Sequence, residues 1–307
     1  MKNLFFKILL PILLALLLII FFFPVPQKDF NELYEGDEAV KNAFNNFRQM
    51  PLKQLEVEGL EWSYLSVGEG GSALLFLHGM GGAYDIWWQQ IEALKNQFRI
   101  ISISLPAVSS LDATAKGLMA IMDEENISKV NIIGSSMGGY IAQYMVNTHP
   151  ERIGMAVFGN TFPPNDILIN EYAGMQKAFP FFPEWYLMRT FRESVADRIM
   201  PTSENSELLR AYLLEQYYGG MTKQQLGGRL DIVLEFFELQ SGADQAAIPK
   251  LIIESDNDPL VRPELQEQLK TTYPAAQVHT FQGKGHFPSV NDPDNYSFVL
   301  RNFLSEE

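Results

Sequence analysis

Three residues of the chain have the types and the order that nucleophilic catalysis requires, and the first is a serine. Residues 134–138 read Gly-Ser-Ser-Met-Gly, which places Ser136 at the centre of a Gly-x-Ser-x-Gly pattern. An apolar segment typical of a strand precedes it and a segment with apolar helical periodicity follows, which is the setting of a nucleophile elbow. Glycines at 134 and 138 would relieve crowding in so sharp a turn. Ser136 is the predicted nucleophile; the alternative is a tight turn with a solvent-exposed serine.

A serine hydroxyl needs a base to remove its proton, and His286 is the best candidate for that base. It lies in the sequence Gly-Lys-Gly-His-Phe-Pro, directly after the last predicted strand. The other histidines fit less well: His149 ends a predicted helix, His279 lies within a predicted strand, and His78 is expected to brace a loop. His286 is therefore the predicted general base.

The acid of such a constellation should follow the strand that precedes the histidine loop. The segment Ser-Asp-Asn-Asp-Pro-Leu-Val is found there, so Asp256 and Asp258 are both candidates. We favour Asp258, which precedes the Pro-Leu-Val turn, for the task of holding the His286 tautomer and stabilising the imidazolium. Asp256 is expected to form a hydrogen bond within the turn.

Acyl transfer also needs hydrogen-bond donors for the developing oxyanion. The backbone N–H of Met137 directly follows the nucleophile, and that of Met80 lies in the loop His-Gly-Met-Gly-Gly. This loop could instead hold a phosphate, but it lacks the residues of a phosphate-binding motif. The chain has no cysteine, and no two histidines have metal-ligand spacing, so we predict neither a metal nor a cofactor.

These residues need a scaffold, and the sequence predicts one of alternating strands and helices. The alternation indicates an α/β protein with a doubly wound, mostly parallel sheet. It breaks at a helical, aromatic and Met-rich stretch, which predicts a helical cap inserted between sheet strands. The predicted organisation is a membrane anchor over residues 1–27, a connector over 28–55, a core over 56–161 and 246–307, and a cap over 162–245.

The composition limits the partners. The chain has 307 residues, of which 47% are hydrophobic, and a formal net charge of -14. Beyond residue 27 the chain carries 21 basic and 37 acidic residues. So acidic a body argues against a nucleic-acid partner, because phosphate binding needs clustered Lys and Arg. The sequence leaves the oligomeric state open.

The N-terminal segment from Leu4 to Phe23 is almost wholly apolar. Twenty helical residues span about 30 Å, the thickness of a bilayer core, which predicts a transmembrane helix. No small-residue cleavage pattern follows it, so we favour a retained single-pass anchor over a cleaved signal that would leave a secreted protein. Lys2 precedes the apolar segment and Lys7 lies near its start, which predicts a cytoplasmic N-terminus and an extracytoplasmic catalytic domain.

Together, these motifs resemble the α/β-hydrolase family over residues 56–305. A closer resemblance is to its maspardin-like branch, through the stretches "GSSMGGYIAQ", "FGNTF", "IPKLIIESDND" and "TYPAAQVHTFQGKGHFP". The resemblance implies a serine hydrolase with the triad Ser136, Asp258 and His286, acting through an acyl-enzyme. Hydrolysis of carboxylic esters of apolar substrates, lipids among them, is the leading expectation. Thioester, lactone and carbon–carbon bond hydrolysis fit the same residues. A non-catalytic, membrane-tethered interaction module is the alternative.

Overall fold

An eight-stranded sheet organises the protein in a computed structural model that describes residues 5–240 and 242–305. The strands are β1 (Lys53–Val57), β2 (Leu60–Val67), β3 (Ala73–Leu77), β4 (Arg99–Ser104), β5 (Val130–Ser135), β6 (Ile153–Gly159), β7 (Lys250–Ser255) and β8 (Gln277–Phe281). The strand order is β1-β2-β4-β3-β5-β6-β7-β8. The β1–β2 and β2–β4 pairs are antiparallel and all other pairs are parallel.

Helices connect the parallel strands and form the cap. The longer α-helices are α1 (Leu10–Phe21), α2 (Glu38–Arg48), α3 (Trp88–Leu94), α4 (Leu111–Glu124), α5 (Met137–Thr148), α6 (Asp166–Ala178), α7 (Glu184–Ser194), α8 (Glu207–Glu215), α9 (Lys223–Leu234), α10 (Pro263–Thr272) and α11 (Pro293–Leu304). Shorter helical segments include Phe30–Leu33, Tyr84–Trp87, Ala243–Ala247 and Pro288–Asn291. The prediction of a mostly parallel α/β sheet is confirmed.

The sheet is apolar on both faces, as parallel strands covered by helices must be. All five residues of β3 are buried, and two apolar clusters cover the two faces. The N-cap residue of α4 is Ser110, whose hydroxyl accepts from the Ala113 N–H at 3.2 Å. Asp112 lies in the first turn, where its negative charge suits the helix dipole.

The predicted connector packs into the core. Phe30 and Phe44 are fully buried, and their rings contact each other edge to face. The Arg48 side chain on α2 forms ion pairs with Asp85 at 2.7 Å and with Glu215 of α8 at 2.5 Å. The sheet also begins at Lys53, inside the expected connector. This segment therefore fastens the cap to the core.

The apolar N-terminal segment does not form the single spanning helix that we expected. A π-helical segment covers Phe5–Leu9, and α1 ends at Phe21, beyond which the Phe22 backbone leaves helical geometry. A 12-residue α-helix covers only about 18 Å. Across the residues that the structure describes, no helix is long and apolar enough to cross a membrane. The predicted transmembrane helix is therefore not supported; Lys2 and Leu4 lie outside the described residues.

The residues between β6 and β7 form the predicted helical insertion. Helices α6 to α9 occupy it, and a short helix at Ala243–Ala247 precedes β7. Apart from Ser241, which the structure does not describe, the predicted range 162–245 contains helices, turns and irregular segments. The cap lies over the carboxyl ends of the central strands, as the contact of Arg229 on α9 with Met80 illustrates.

Candidate active site

Ser136 occupies the sharp turn between β5 and α5. Its backbone has φ 55° and ψ -120°, a conformation that L-residues rarely adopt and that marks a strained site. Tight packing requires the flanking glycines: a Cβ at Gly134 would lie 2.1 Å from the Gly138 carbonyl oxygen, and one at Gly138 would lie 2.2 Å from that of Leu77. The Thr161 hydroxyl donates to the Ser136 carbonyl at 2.7 Å and braces the turn. The elbow geometry predicted from the sequence is present.

His286 and Asp258 form a buried pair. The Nδ1 atom of His286 lies 2.8 Å from Asp258 Oδ2 and 3.0 Å from Oδ1, and His286 is 2% exposed. Because a carboxylate accepts, Nδ1 carries the proton and Nε2 is left as the basic nitrogen. Burial would raise the pKa of Asp258, but the charge of His286 and hydrogen bonds from His286, Asn160 and the Val261 N–H outweigh it and lower the pKa.

Asp256, the other acidic candidate, has a different partner. Its Oδ1 atom accepts the Gly283 N–H at 2.7 Å, in the loop that leads to His286. The hydrogen bond thus joins two loops, whereas we had expected one within a single turn. This geometry favours Asp258 as the partner of the histidine.

Asn160 also belongs to the site, although we did not predict it from the sequence. It directly follows β6, is 2% exposed, and has φ 41°. Its Nδ2 atom donates to Asp258 Oδ2 at 2.9 Å and also contacts Ser255 Oγ and the Gly285 carbonyl at 3.4 Å each. An asparagine after the apolar run of β6 was the available signal, since Asn tolerates the left-handed region better than most residues.

The loop after β3 lies against Ser136. A Cβ at Gly79 would lie 3.1 Å from the Ser136 Cβ, so the loop backbone closely approaches the serine. Met80 follows in this loop, and Met137 is the first residue of α5, where N–H groups lack intrahelical partners. The His78 side chain braces the loop, as expected: Nδ1 donates to the Gly79 carbonyl at 2.7 Å, and Nε2 accepts the Leu105 N–H at 3.0 Å.

These residues gather at the carboxyl ends of neighbouring strands. The serine follows β5, Asn160 follows β6, Asp258 follows β7, and the histidine loop follows β8. Asn160 lies between them because it contacts both Asp258 and Gly285. Among the described residues, no hydrogen bond joins the Ser136 hydroxyl to the His286 ring. In unliganded enzymes such contacts are often long and tighten when substrate binds.

A family comparison agrees with this geometry. Residues 72–293 match the family model described as the alpha/beta hydrolase fold. The chain belongs to the α/β-hydrolase family.

Hydrolases of known activity are similar to this α/β-hydrolase. A 2-hydroxy-6-oxononadienedioate/2-hydroxy-6-oxononatrienedioate hydrolase of Paraburkholderia phymatum is 22% identical over 79% of this chain and 90% of its own length. The pimeloyl-[acyl-carrier protein] methyl ester esterase of Yersinia enterocolitica is 26% identical over 78% of this chain and 95% of its own. The prediction that the chain is a hydrolase is confirmed.

Among solved structures, a membrane phospholipase A described as a bacterial virulence factor aligns with this α/β-hydrolase. It covers 100% of this chain and 99% of its own, with a TM-score of 0.69 and 17% identity. At this identity the likeness establishes the fold alone. The finer resemblance to the maspardin-like branch stays a prediction.

The large apolar side chains of the cap divide into buried and exposed groups. Phe162, Phe179 and Met188 are buried, whereas Phe181 is 79% and Tyr186 44% exposed. Tyr186 lies near the N-terminal helix, since its ring contacts that of Trp185, whose Nε1 donates to the Ile20 carbonyl at 2.7 Å. Some of these side chains therefore pack inside the protein, and others face outward.

Proposed function

We propose that this α/β-hydrolase is a serine esterase in which Ser136 is the nucleophile, His286 the general base and Asp258 the acid. One observation carries the proposal: the strained Ser136 turn lies on the same sheet edge as the buried His286–Asp258 pair. The lowered pKa of Asp258 keeps its carboxylate ionised at neutral pH, so it can hold the Nδ1 proton and leave Nε2 basic.

The chemistry follows from these roles. Ser136 Oγ attacks the ester carbonyl carbon while His286 Nε2 takes the hydroxyl proton. The backbone N–H groups of Met80 and Met137 stabilise the tetrahedral oxyanion. Collapse of this intermediate breaks the bond to the alcohol oxygen, which leaves with the proton held by His286. Water, deprotonated by His286, then attacks the acyl-enzyme and releases the carboxylic acid and free Ser136.

We propose an apolar acyl substrate that reaches the site from a membrane surface. The residues of α1 carry apolar side chains, and none is buried in the chain. This helix contacts the cap, where the Lys223 ammonium lies 5.3 Å from the centre of the Phe21 ring. The exposed Phe181 and Tyr186 extend the apolar surface. The full-length alignment with a membrane phospholipase A supports a lipid ester among the candidates.

We also propose that residues 4–23 hold the chain at a membrane, with the catalytic domain on the extracytoplasmic side. A cleaved segment and a secreted protein are the alternative. The apolar composition of the segment and its contact with the cap support attachment.

A fluorophosphonate probe tests the proposed nucleophile. The probe should label the wild-type chain and fail to label Ser136→Ala, because it reacts with an activated serine hydroxyl. Ser135→Ala is the matched control, since it removes the neighbouring hydroxyl and should keep labelling. Labelling that survives Ser136→Ala would refute the assignment. A chain that never labels and hydrolyses no short-chain ester would favour the non-catalytic, maspardin-like interaction module.

A further inference from the structure

A buried arginine of the cap contacts the loop that carries Met80. Arg229 lies on α9 and is 2% exposed. Its Nη1 atom donates to the Met80 carbonyl at 2.5 Å and to the Gly82 carbonyl at 3.0 Å. Its Nη2 atom lies 3.5 Å from the carbonyl oxygen of Leu105, in the loop after β4. A single guanidinium thus ties the cap to two loops of the core.

The charge of Arg229 has no counterion within the described part of the chain. Its partners are backbone carbonyls and the Met221 sulfur at 3.1 Å, and its Nε atom is buried without a hydrogen-bond partner. Burial lowers the pKa of Arg229 to about 10, so the guanidinium is still charged at neutral pH. A buried unpaired charge is costly, and a polar or apolar residue could pack there more cheaply. Such a cost is typical of a functional position.

The peptide group between Gly79 and Met80 links the contacts of Arg229 to the proposed oxyanion hole. Its N–H is the proposed oxyanion donor, and its carbonyl, on Gly79, accepts from His78 Nδ1 at 2.7 Å and from the Gly82 N–H at 3.1 Å. His78 thus holds this peptide from the core side. Arg229 holds the next carbonyl, on Met80, from the cap side.

His78 and Arg229 also share a second anchor. Leu105 donates its N–H to His78 Nε2 and offers its carbonyl to Arg229. Burial is the main cause that lowers the pKa of His78 well below its usual value, and the charge of Arg229 lowers it further. His78 is therefore neutral, which preserves the Nδ1–H tautomer that bonds to Gly79.

We propose that Arg229 is a positioning residue for the oxyanion hole: from the cap, it fixes the Gly79–Gly82 loop so that the Met80 N–H faces the oxyanion, and its unpaired charge favours that anion. The inference rests on the proposed serine hydrolase function. With Arg229 in this role, the oxyanion hole is complete only when the cap is in place. Because the oxyanion exists only in the transition state and intermediate, loss of Arg229 should lower kcat and leave KM nearly unchanged.

The test compares Arg229→Gln and Arg229→Lys with the wild-type chain on a short-chain ester. Removing an oxyanion donor outright costs about 100- to 1,000-fold in kcat, so a loosened donor should cost about 10- to 100-fold. We expect that loss for Arg229→Gln, with KM within about threefold of wild type. Arg229→Lys retains the charge and should recover part of the loss. The matched control is Arg210→Gln, which removes a partly buried cap arginine that donates to the Leu33 carbonyl instead.

A second readout separates positioning from packing. A trifluoromethyl ketone forms a tetrahedral oxyanion with an active serine, whereas the corresponding alcohol binds without one. Arg229→Gln should weaken binding of the ketone by about the same factor by which it lowers kcat. It should leave binding of the alcohol nearly unchanged. Equal weakening of both inhibitors, or a raised KM with kcat intact, would overturn the inference. If circular dichroism shows that Arg229→Gln does not fold, the affinities for the ketone and the alcohol are measured on Arg229→Lys instead. The ratio of the two affinities then decides between these outcomes.

The serine assignment is tested independently. If Ser136→Ala keeps its activity, the proposed function fails. If Ser136→Ala is inactive while both inhibitors weaken equally in the Arg229 variants, only the role of Arg229 fails.

Discussion

The side-chain amide of Asn160 donates to Oδ2 of Asp258 at 2.9 Å, from a backbone at φ 41° in the left-handed region. The same carboxylate receives the His286 Nδ1–H and, at Oδ1, the N–H groups of Leu260 and Val261. These donors stabilise the charged form of the carboxylate, in opposition to burial. Asp258, the proposed acid, is thus itself held in place from the neighbouring strand.

The first prediction concerns this amide. Asn160→Gly keeps a residue suited to positive φ but removes the donor to Asp258. A hydrogen bond to a charged group contributes about 1.5–3 kcal/mol, so we expect kcat to fall about tenfold or more on a short-chain ester. Asn126→Gly is the matched control, because Asn126 has φ 54° but is exposed. Equal activities in the two variants would show that Asn160 is not needed to hold the acid.

The second prediction separates the two aspartates. Asp258→Asn removes the carboxylate that fixes the His286 tautomer and should lower kcat by about 10,000-fold, as an equivalent change does in a serine protease. Asp256→Asn disturbs only the hydrogen bond to the Gly283 N–H and should cost less than about tenfold. Steady-state hydrolysis of a short-chain ester measures both variants. A larger loss in Asp256→Asn would transfer the role of the acid to Asp256.

The sequence was most informative where neighbouring residues determine the structure. The Gly-Ser-Ser-Met-Gly turn specifies part of its own geometry, because a Cβ at Gly134 would clash with Gly138 within the elbow. The alternation of strands and helices is also a local pattern, and the observed order of elements follows it. The choice of Asp258 over Asp256 rested on the adjacent turn, and the contact with His286 agrees with it.

The contacts that the sequence did not reveal join distant residues. Asn160 meets Asp258 across 98 positions, and Arg229 meets Met80 across 149. Asn160 lies in the stretch "FGNTF", but that stretch does not indicate its partner, and Arg229 lies in none of the quoted stretches. Only the packing of strands and cap brings these groups together. The same holds for the connector, whose Phe30 N–H donates to the carboxylate of Glu215 in the cap.

The third prediction concerns stability and its pH dependence. Glu125 is 3% exposed and accepts hydrogen bonds from Lys53, Tyr64, Ser66 and Arg99. Burial opposes ionisation, but these donors outweigh it and lower the pKa of Glu125 to about 2. Because this folded-state pKa lies below the ordinary value of 4.5, the stabilisation is complete above about pH 5 and is lost as pH falls towards 2.

Urea unfolding across this pH range tests the role of Glu125. At pH 7, Glu125→Gln should lower the free energy of unfolding by about 2 kcal/mol. This is less than the whole pKa shift would give, because solvent screens the interaction with the exposed Lys53 ammonium. The difference from wild type should shrink as the pH approaches 2. Glu124→Gln, at an exposed neighbouring position, should have little effect. A difference that is constant with pH would mean that Glu125 contributes through packing rather than charge.

The fourth prediction concerns the N-terminal segment. If residues 4–23 hold the chain at a membrane, the mature protein should keep its N-terminus and stay in the membrane fraction through high-salt and carbonate washes. Electrostatic attachment would not survive salt, and a body this acidic should not bind anionic lipid through charge. N-terminal mass analysis of protein from its own host, together with fractionation, makes the measurement.

A chain that begins at Gln27 provides the control for this prediction. It lacks the apolar segment but keeps Ser136, Asp258 and His286, so it should remain in the soluble fraction and retain ester hydrolysis. It also loses the contact between the Ile20 carbonyl and Trp185. A change in its activity that is confined to long-chain esters would therefore indicate that this part of the cap contributes to the binding of long acyl chains. A mature wild-type chain that begins around residues 24–30 in a soluble extracytoplasmic fraction would identify the segment as a cleaved export signal. Membrane attachment would then be refuted, whereas the proposed esterase chemistry would stand, because none of its residues precedes Met80.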